Sequence, residues 1–212
     1  MEILRDMTKK KLFLSQKAYI EKVLTRFGML NVKLINTPWA ANFHPTMSDE
    51  MTEGKTDYMS RVPYARAVGS LIYVIVCARS DLAHAVSVVS WFIVQPRKEH
   101  WMAVKRIFRY LKGTSDVGFV YGDKDPRLFI EYSDSDYVGD VDSMRSMTGY
   151  IFTLGGSVVS WKATLQLTVI LSTTEAEYMA LKEADKVVIW LRRLFSDLSL
   201  HHSKVIVFSF LL

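Results

Sequence analysis

The sequence has little cysteine, little proline and no long apolar run. Cys77 is the single cysteine among 212 residues. It excludes an internal disulfide and a cysteine-based zinc site, and it points to a reducing compartment. Five prolines and ten glycines are too few for a collagenous or low-complexity chain. The most apolar stretches, Leu71–Cys77 and Val205–Leu212, have seven and eight residues, against about 20 for a membrane-spanning helix. The opening Met-Glu-Ile-Leu-Arg-Asp is charged and carries no signal-peptide core. These absences lead us to expect a soluble, intracellular protein with no membrane partner.

What is present is an ordinary packed composition, unevenly charged. Half the residues are apolar and 23% are charged, which excludes a disordered chain. The length suits one large domain or two small ones. Residues 1–122 hold 18 Lys and Arg against 10 Asp and Glu, a net of +8, and residues 123–212 hold 9 against 12, a net of −3. A basic first part is joined to an acidic second part.

Glu2–Arg5 and Lys11–Leu14 read as short strands around a polar turn at Thr8–Lys10. Ser15 suits an N-cap for a helix through Tyr19, Ile20, Val23, Leu24 and Phe27. Asn36–Asp57, with two prolines, reads as a linker or long loop. From Pro63 to Gly113 the pattern is helical. One helix opens at Pro63, a second is capped by Ser80 and stops before Pro96, and a third spans Lys98–Leu111. The third has an apolar stripe of Trp101, Val104, Phe108 and Leu111. Its basic stripe is Lys98, Lys105, Arg109 and Lys112, at offsets 0, 7, 11 and 14. After a boundary near Asp123–Arg127 the character changes. Leu128–Ser133 reads as a strand and Tyr150–Leu154 with Val158–Lys162 as a hairpin through Gly155-Gly156. Ser172–Leu198 reads as one long helix and Val205–Phe208 as a last strand. The second part is therefore an α/β unit of order β-β-β-α-β.

Two groups of carboxylates stand out. Tyr132–Asp142 carries Asp134, Asp136, Asp140 and Asp142 directly after a strand, with no basic residue. Strand-end carboxylates suit a hard divalent cation, and equally a solvated acidic loop. In Ser172-Thr173-Thr174-Glu175-Ala176-Glu177, Ser172 and Glu175 have capping-box spacing. Glu177 instead begins the stripe Leu181, Ala184, Val188, Leu191 and Phe195. It either snorkels out of the first turn or meets something cationic. A strand-end Asp and a core-facing Glu could converge on one Mg2+, as part of a two-metal phosphodiester site. No third carboxylate follows in Val205–Phe208. The histidines, His44, His84, His100, His201 and His202, show no zinc-site spacing.

At these residues the chain resembles a known family. Tyr132–Asp140, Arg145–Gly156, Val159–Lys162 and Leu171–Leu181 are similar to the ribonuclease H domain of copia-type LTR retrotransposon Pol polyproteins. Lys11–Leu24, Tyr64–Tyr73, Ala78–Val86 and Arg106–Thr114 are similar to the end of the reverse transcriptase in the same polyprotein. The resemblance implies a mainly helical thumb/connection segment at 1–122 and a partial ribonuclease H-like domain at 123–212. It implies that Asp134 and Glu177 are catalytic and hold Mg2+ or Mn2+. The third carboxylate of the family belongs in the stretch Val207-Phe208-Ser209-Phe210, with Phe210 at its place, and a fourth would lie beyond Leu212. Asp136 and Asp140 are substitutes to consider.

No Tyr-x-Asp-Asp motif of the polymerase site occurs in the sequence. The expectation is a piece of Pol cut at both ends, with a tail that resembles a frameshift. Polymerase activity should then be nil and hybrid cleavage weak or lost.

The resemblance also bears on the basic stripe. By itself Lys98, Lys105, Arg109 and Lys112 could be a solvated face or could follow a phosphate backbone. Reverse transcriptase likeness favours contact with template–primer duplex or RNA–DNA hybrid, read through phosphate and shape. Association with the rest of Pol is a further implication, in cytoplasmic particles or in the nucleus. The rival expectation is a non-enzymatic, degenerate remnant that at most binds duplex.

Overall fold

The computed structural model describes residues 1–40, 43, 45–46, 53–122, 128–199 and 205–209, without the side chains of 53–56, 205 and 207–209. The chain is mixed α/β and divides into two compact units. One is Met1–Leu4 with Leu14–Gly118, the other Arg5–Phe13 with Phe119–Leu212.

The first unit is helical. It holds α1 (Lys17–Arg26), α2 (Glu53–Ser60), α3 (Tyr64–Ala78), α4 (Ala83–Ser90) and α5 (Lys98–Gly113); strands β1 (Glu2–Asp6) and β2 (Lys11–Ser15), ahead of α1 in the chain, are divided between the two units. Apolar residues at helical spacing meet in one core. Ile20 of α1, Leu71 and Val74 of α3, Val86 of α4, and Val104, Ile107, Phe108 and Leu111 of α5 are all fully buried. Phe27 stacks on Phe108 with ring centroids 5.2 Å apart. The whole apolar stripe expected on α5 faces this core.

Four local expectations change. Ser15 is the last residue of β2, and Gln16 is the N-cap of α1 without a side-chain cap bond. Glu2 supplies the cap acceptor: its Oε1 accepts from the Ala18 amide at 3.0 Å, and its Oε2 accepts from Ser15 Oγ at 3.2 Å. A strand carboxylate thus satisfies an orphan helix donor, which no local pattern encodes. The expected loop Asn36–Asp57 is partly outside the described residues, and α2 begins inside it. That helix has no apolar stripe to announce it. Pro63 is the N-cap of α3, and Ser80 opens a 3-10 turn, Ser80–Leu82, ahead of α4.

The buried guanidinium of Arg79 joins that turn to the end of α5. Its Nε and Nη2 donate to Asp81 Oδ1 and Oδ2 at 2.9 and 2.7 Å. Its Nη1 donates to the Thr114 carbonyl at 2.8 Å. A cation at a helix C-terminus complements the unpaired carbonyls there.

The second unit contains β4 (Phe129–Asp140), β5 (Arg145–Leu154), β6 (Ser157–Leu165), α6 (Thr173–Asp197) and β7 (Val205–Ser209). They form a four-stranded sheet of order β6-β5-β4-β7. β4, β5 and β6 are successive antiparallel neighbours, and β7 returns parallel to β4. Gly155 and Gly156, at φ +58° and +80°, make the two-residue turn between β5 and β6, the backbone that a tight hairpin requires. A parallel return needs a crossover, which α6 supplies. Ala176, Ala180 and Ala184 are fully buried along the helix, and Val188, Leu191 and Phe195 continue the stripe into a core with Phe129 and Phe152.

The expected order β-β-β-α-β is present, with β4 running on through the Asp-rich segment in place of a loop. The β5 ladder carries it: Asp134 pairs with Gly149, Asp136 with Met147, and after an irregularity Asp140 with Arg145.

A short strand not expected from sequence, β3 (Phe119–Tyr121), completes a second sheet of order β1-β2-β3. Tyr121 donates its hydroxyl to the Val158 carbonyl at 2.7 Å. Gly122 follows at φ +98°, and a Cβ there would collide with the Lys10 carbonyl, so only glycine fits.

Candidate metal and nucleic-acid site

Side chains alternate along β4. Phe129, Glu131 and Ser133 are buried, while Tyr132 and Asp134 are exposed. At the N-terminus of α6, Ser172 Oγ accepts from the Glu175 amide at 3.2 Å, and Glu175 Oε2 accepts from the Leu171 amide at 3.1 Å. Glu175 is occupied in shaping that turn, as its spacing implied. Glu177 turns inward and is only 7% exposed.

The two elements bring Asp134 and Glu177 together. The Ser135 amide donates to Asp134 Oδ1 at 2.9 Å and to Glu177 Oε1 at 3.3 Å. Burial raises the Glu177 pKa above the usual carboxylate range. The neighbouring charge of Asp134 raises it further, against the lowering effect of the Ser135 N–H. Glu177 Oε2 is buried and has no hydrogen-bond partner among the described residues. Glu177 therefore does not snorkel, and what meets it is another carboxylate.

The orphaned Oε2 beside a like charge fits a hard cation. Mg2+ is commonly held by one or two carboxylates, with water and substrate phosphate completing the shell. Asp134 and Glu177 are the residues that could hold it. Among the described residues no group of three or more metal-capable side chains occurs. Asp140 is engaged in its own turn, accepting from the Asp142 amide at 3.2 Å and from the Ser143 hydroxyl. Asp136 Oδ2 folds over Gly139, where a Cβ would stand 2.9 Å from it. Neither joins Asp134 and Glu177 in a group of three among the described residues. Phe210 lies outside the described residues, just past the Ser133–Ser209 pair that ends the β4–β7 register.

The interior of this unit holds polar groups that the motifs did not single out. Glu131 is fully buried, and neither carboxylate oxygen has a hydrogen-bond partner among the described residues. Burial, with Asp185 adding to it, pushes its pKa up to about 7. Gln166 is buried between β5 and α6. No sequence signal marks either residue, since a lone Glu in a strand or a Gln after one ordinarily faces water.

The basic stripe on α5 is partly committed. Arg109 Nε donates to the Lys33 carbonyl at 2.7 Å and Lys112 Nζ to the Val32 carbonyl at 3.0 Å. Arg106, off the stripe, donates to Thr37 Oγ1 at 2.8 Å. Together they strap residues 32–37 to the helix. Lys105 Nζ lies 5.4 Å from the Trp101 ring centroid, and Lys98 is exposed.

Known proteins resemble the chain along most of its length. Over 211 residues, 98% of its length, the chain is 48% identical to the retrovirus-related Pol polyprotein from transposon TNT 1-94 of Nicotiana tabacum. Over nearly its whole length the chain is similar to a segment of the retrovirus-related Pol polyproteins of transposons. The Pol polyprotein from transposon RE2 of Arabidopsis thaliana is 36% identical over 192 residues, 91% of the chain. The chain spans 16% of the tobacco Pol polyprotein and 13% of the Arabidopsis one. A shorter relative, secreted RxLR effector protein 161 of Plasmopara viticola, is 47% identical over 133 residues, 63% of this chain and 94% of that protein. No family model matches the chain, and no solved structure matches it. Among the described residues no helix is long and apolar enough to cross a membrane.

Proposed function

We propose that this Pol segment joins the duplex-gripping end of a reverse transcriptase, residues 1–122, to a ribonuclease H-like domain with a reduced carboxylate set, residues 123–212. The observation that carries this reading is the shared Ser135 amide, which draws Asp134 and Glu177 to one place. The sheet order β6-β5-β4-β7 with α6 as crossover supports the domain assignment.

Asp134 and Glu177 would hold one Mg2+ or Mn2+, whose chemistry when bound is water activation and charge neutralisation at a phosphodiester. The chain's own part is to fix both carboxylates through one amide and to keep Glu177 out of bulk water. Two carboxylates make only part of a two-metal site, so cleavage of RNA in an RNA–DNA hybrid is far slower than in an intact enzyme. Without a Tyr-x-Asp-Asp motif the segment has no polymerase activity of its own. Of the α5 stripe, Lys98 and Lys105 are the cations left for duplex phosphates, and the partner in the cell is the remainder of Pol, in cytoplasmic particles or in the nucleus.

A second reading is a non-enzymatic remnant that binds duplex. The lack of any three-ligand group among the described residues favours it. One experiment separates the two. Purified chain is incubated with labelled RNA–DNA hybrid and Mg2+ or Mn2+, beside Asp134→Asn. Cleavage lost in the variant supports the hydrolase. Salt-sensitive binding with no cleavage supports the remnant.

A further inference from the structure

We infer that Gln166 is a positioning residue for this site: its carboxamide ties the first turn of α6 to β5 and thereby sets where Glu177 stands against Ser135. Gln166 directly follows β6, and its backbone amide donates to the Ser146 carbonyl at 2.9 Å, so its main chain is held to β5. Its buried Nε2 donates to Thr148 Oγ1 at 3.0 Å and to the Ala176 carbonyl at 2.9 Å. A carboxamide nitrogen has two hydrogens, and both are used. A backbone carbonyl only accepts, so the nitrogen and not the oxygen must face Ala176.

These bonds close a circuit. Ala176 is the residue before Glu177, Glu177 Oε1 accepts from Ser135, and Ser135 is the cross-strand partner of Thr148. From Thr148 the circuit returns through Gln166 to Ala176. Every link is a covalent bond, a hydrogen bond or a ladder pair.

The other contacts of this turn do not substitute for Gln166. The bonds of Ser172 and Glu175 run only within Leu171–Ala176. They shape the turn without placing it on the sheet. The alanines Ala176, Ala180 and Ala184 let the helix approach closely, but small apolar contacts are non-directional. Gln166 supplies the directional tie, with two acceptors on two elements.

The inference rests on the reading of Asp134 and Glu177 as a cation site, but its first test does not. Amide hydrogen exchange at Ser135 is measured by NMR in the full chain, in Gln166→Met, Thr148→Val and Thr148→Ser. Methionine keeps the length of glutamine and removes its polar atoms. Exchange at Ser135 should rise roughly tenfold or more in Gln166→Met and Thr148→Val and less in Thr148→Ser, while Tyr150 and Ile151 in the centre of β5 stay within about twofold. Unchanged exchange at Ser135 in the folded variants overturns the inference. So does a uniform rise across the ladder, the mark of a merely structural role. If Gln166→Met does not fold, the Thr148 pair decides by the same criterion.

Mn2+ binding is followed in parallel, and should weaken about tenfold or more in Gln166→Met, the usual cost of losing a group that orients a ligand. Equal Mn2+ affinity in wild type and variant overturns the inference. No Mn2+ binding by the wild type defeats the cation site alone, and hydrogen exchange at Ser135 then decides the role of Gln166.

Discussion

Glu177 Oε1 lies 3.3 Å from the Ser135 amide nitrogen, and the same N–H serves Asp134 Oδ1 at 2.9 Å. One donor is shared by two like charges, one of them buried. The arrangement is costly when both are ionised, and a bound cation would relieve it. Its consequences can be measured.

The first concerns Asp134. The folded-state pKa of Glu177 is raised by burial and then by Asp134. A raised carboxyl contributes stability at acid pH and loses it as pH climbs above the ordinary carboxylate range. Asp134→Asn removes the neighbouring charge and should flatten this fall. Urea unfolding between pH 4 and pH 8 reads the slope, and a steeper fall in the variant contradicts the arrangement. Mn2+ at about 100 times its dissociation constant should stabilise the wild type by about 2.7 kcal/mol, and chelation should reverse that gain. Asp134→Asn should gain nothing.

Glu131 has the larger pH effect. Its pKa is pushed up to about 7 from the ordinary value of 4.5. Unfolding therefore releases its proton between those values. Its contribution is fully present below pH 4.5, falls through that window, and levels off above pH 7. At 1.36 kcal/mol per unit the loss is about 3 kcal/mol. Glu131→Leu should abolish this component and be more stable than the wild type at pH 8. A variant with the wild-type pH profile would show that the carboxyl is solvated.

Arg79 tests the first unit. It is fully buried, with its bidentate partner Asp81 and the Thr114 carbonyl around it. The Asp81 carboxylate that would be left behind is 36% exposed, so the cost is that of losing charged hydrogen bonds, about 1.5–3 kcal/mol. Arg79→Met should lower the urea midpoint accordingly. A change under about 1 kcal/mol would place this ion pair with exposed ones.

The basic face should split into two classes. Lys98→Ala and Lys105→Ala should weaken duplex binding and each reduce the salt slope by about 1, with little change in melting temperature. Arg109→Ala and Lys112→Ala remove hydrogen bonds to backbone carbonyls, and each should cost about 1.5–3 kcal/mol of stability. Anisotropy across a salt series, paired with thermal melts, separates the classes. Equal behaviour of all four would mean that the strap is not formed in solution.

Long periodic elements were legible in the sequence. The apolar stripe on α5 is buried as spaced, and that on α6 is buried except at Leu181, which is half-buried while Ala180 beside it faces the core; a helix of many turns repeats its signal. The hairpin at Gly155-Gly156 was legible because few residues adopt its backbone. Three other features were not. α2 has no stripe, β3 has three residues, and Glu2 caps α1 from a neighbouring strand. In each case the deciding contact is distant along the chain or too brief to form a period.

The candidate site divides in the same way. By itself the sequence determined its chemistry: two carboxylates of distinct local roles, Glu175 in a cap and Glu177 on the core-facing stripe, with family motifs around them. Residue type and helical phase are local properties, and a sequence states them directly. Only the tertiary structure decided that Asp134 and Glu177 meet at Ser135, that Glu131 is buried without a hydrogen-bond partner among the described residues, and that Gln166 bridges Thr148 to Ala176. It also committed Arg109 and Lys112 to the strap. Each depends on the separation of a helix from a strand or a loop to within the length of a hydrogen bond, and that distance comes from packing.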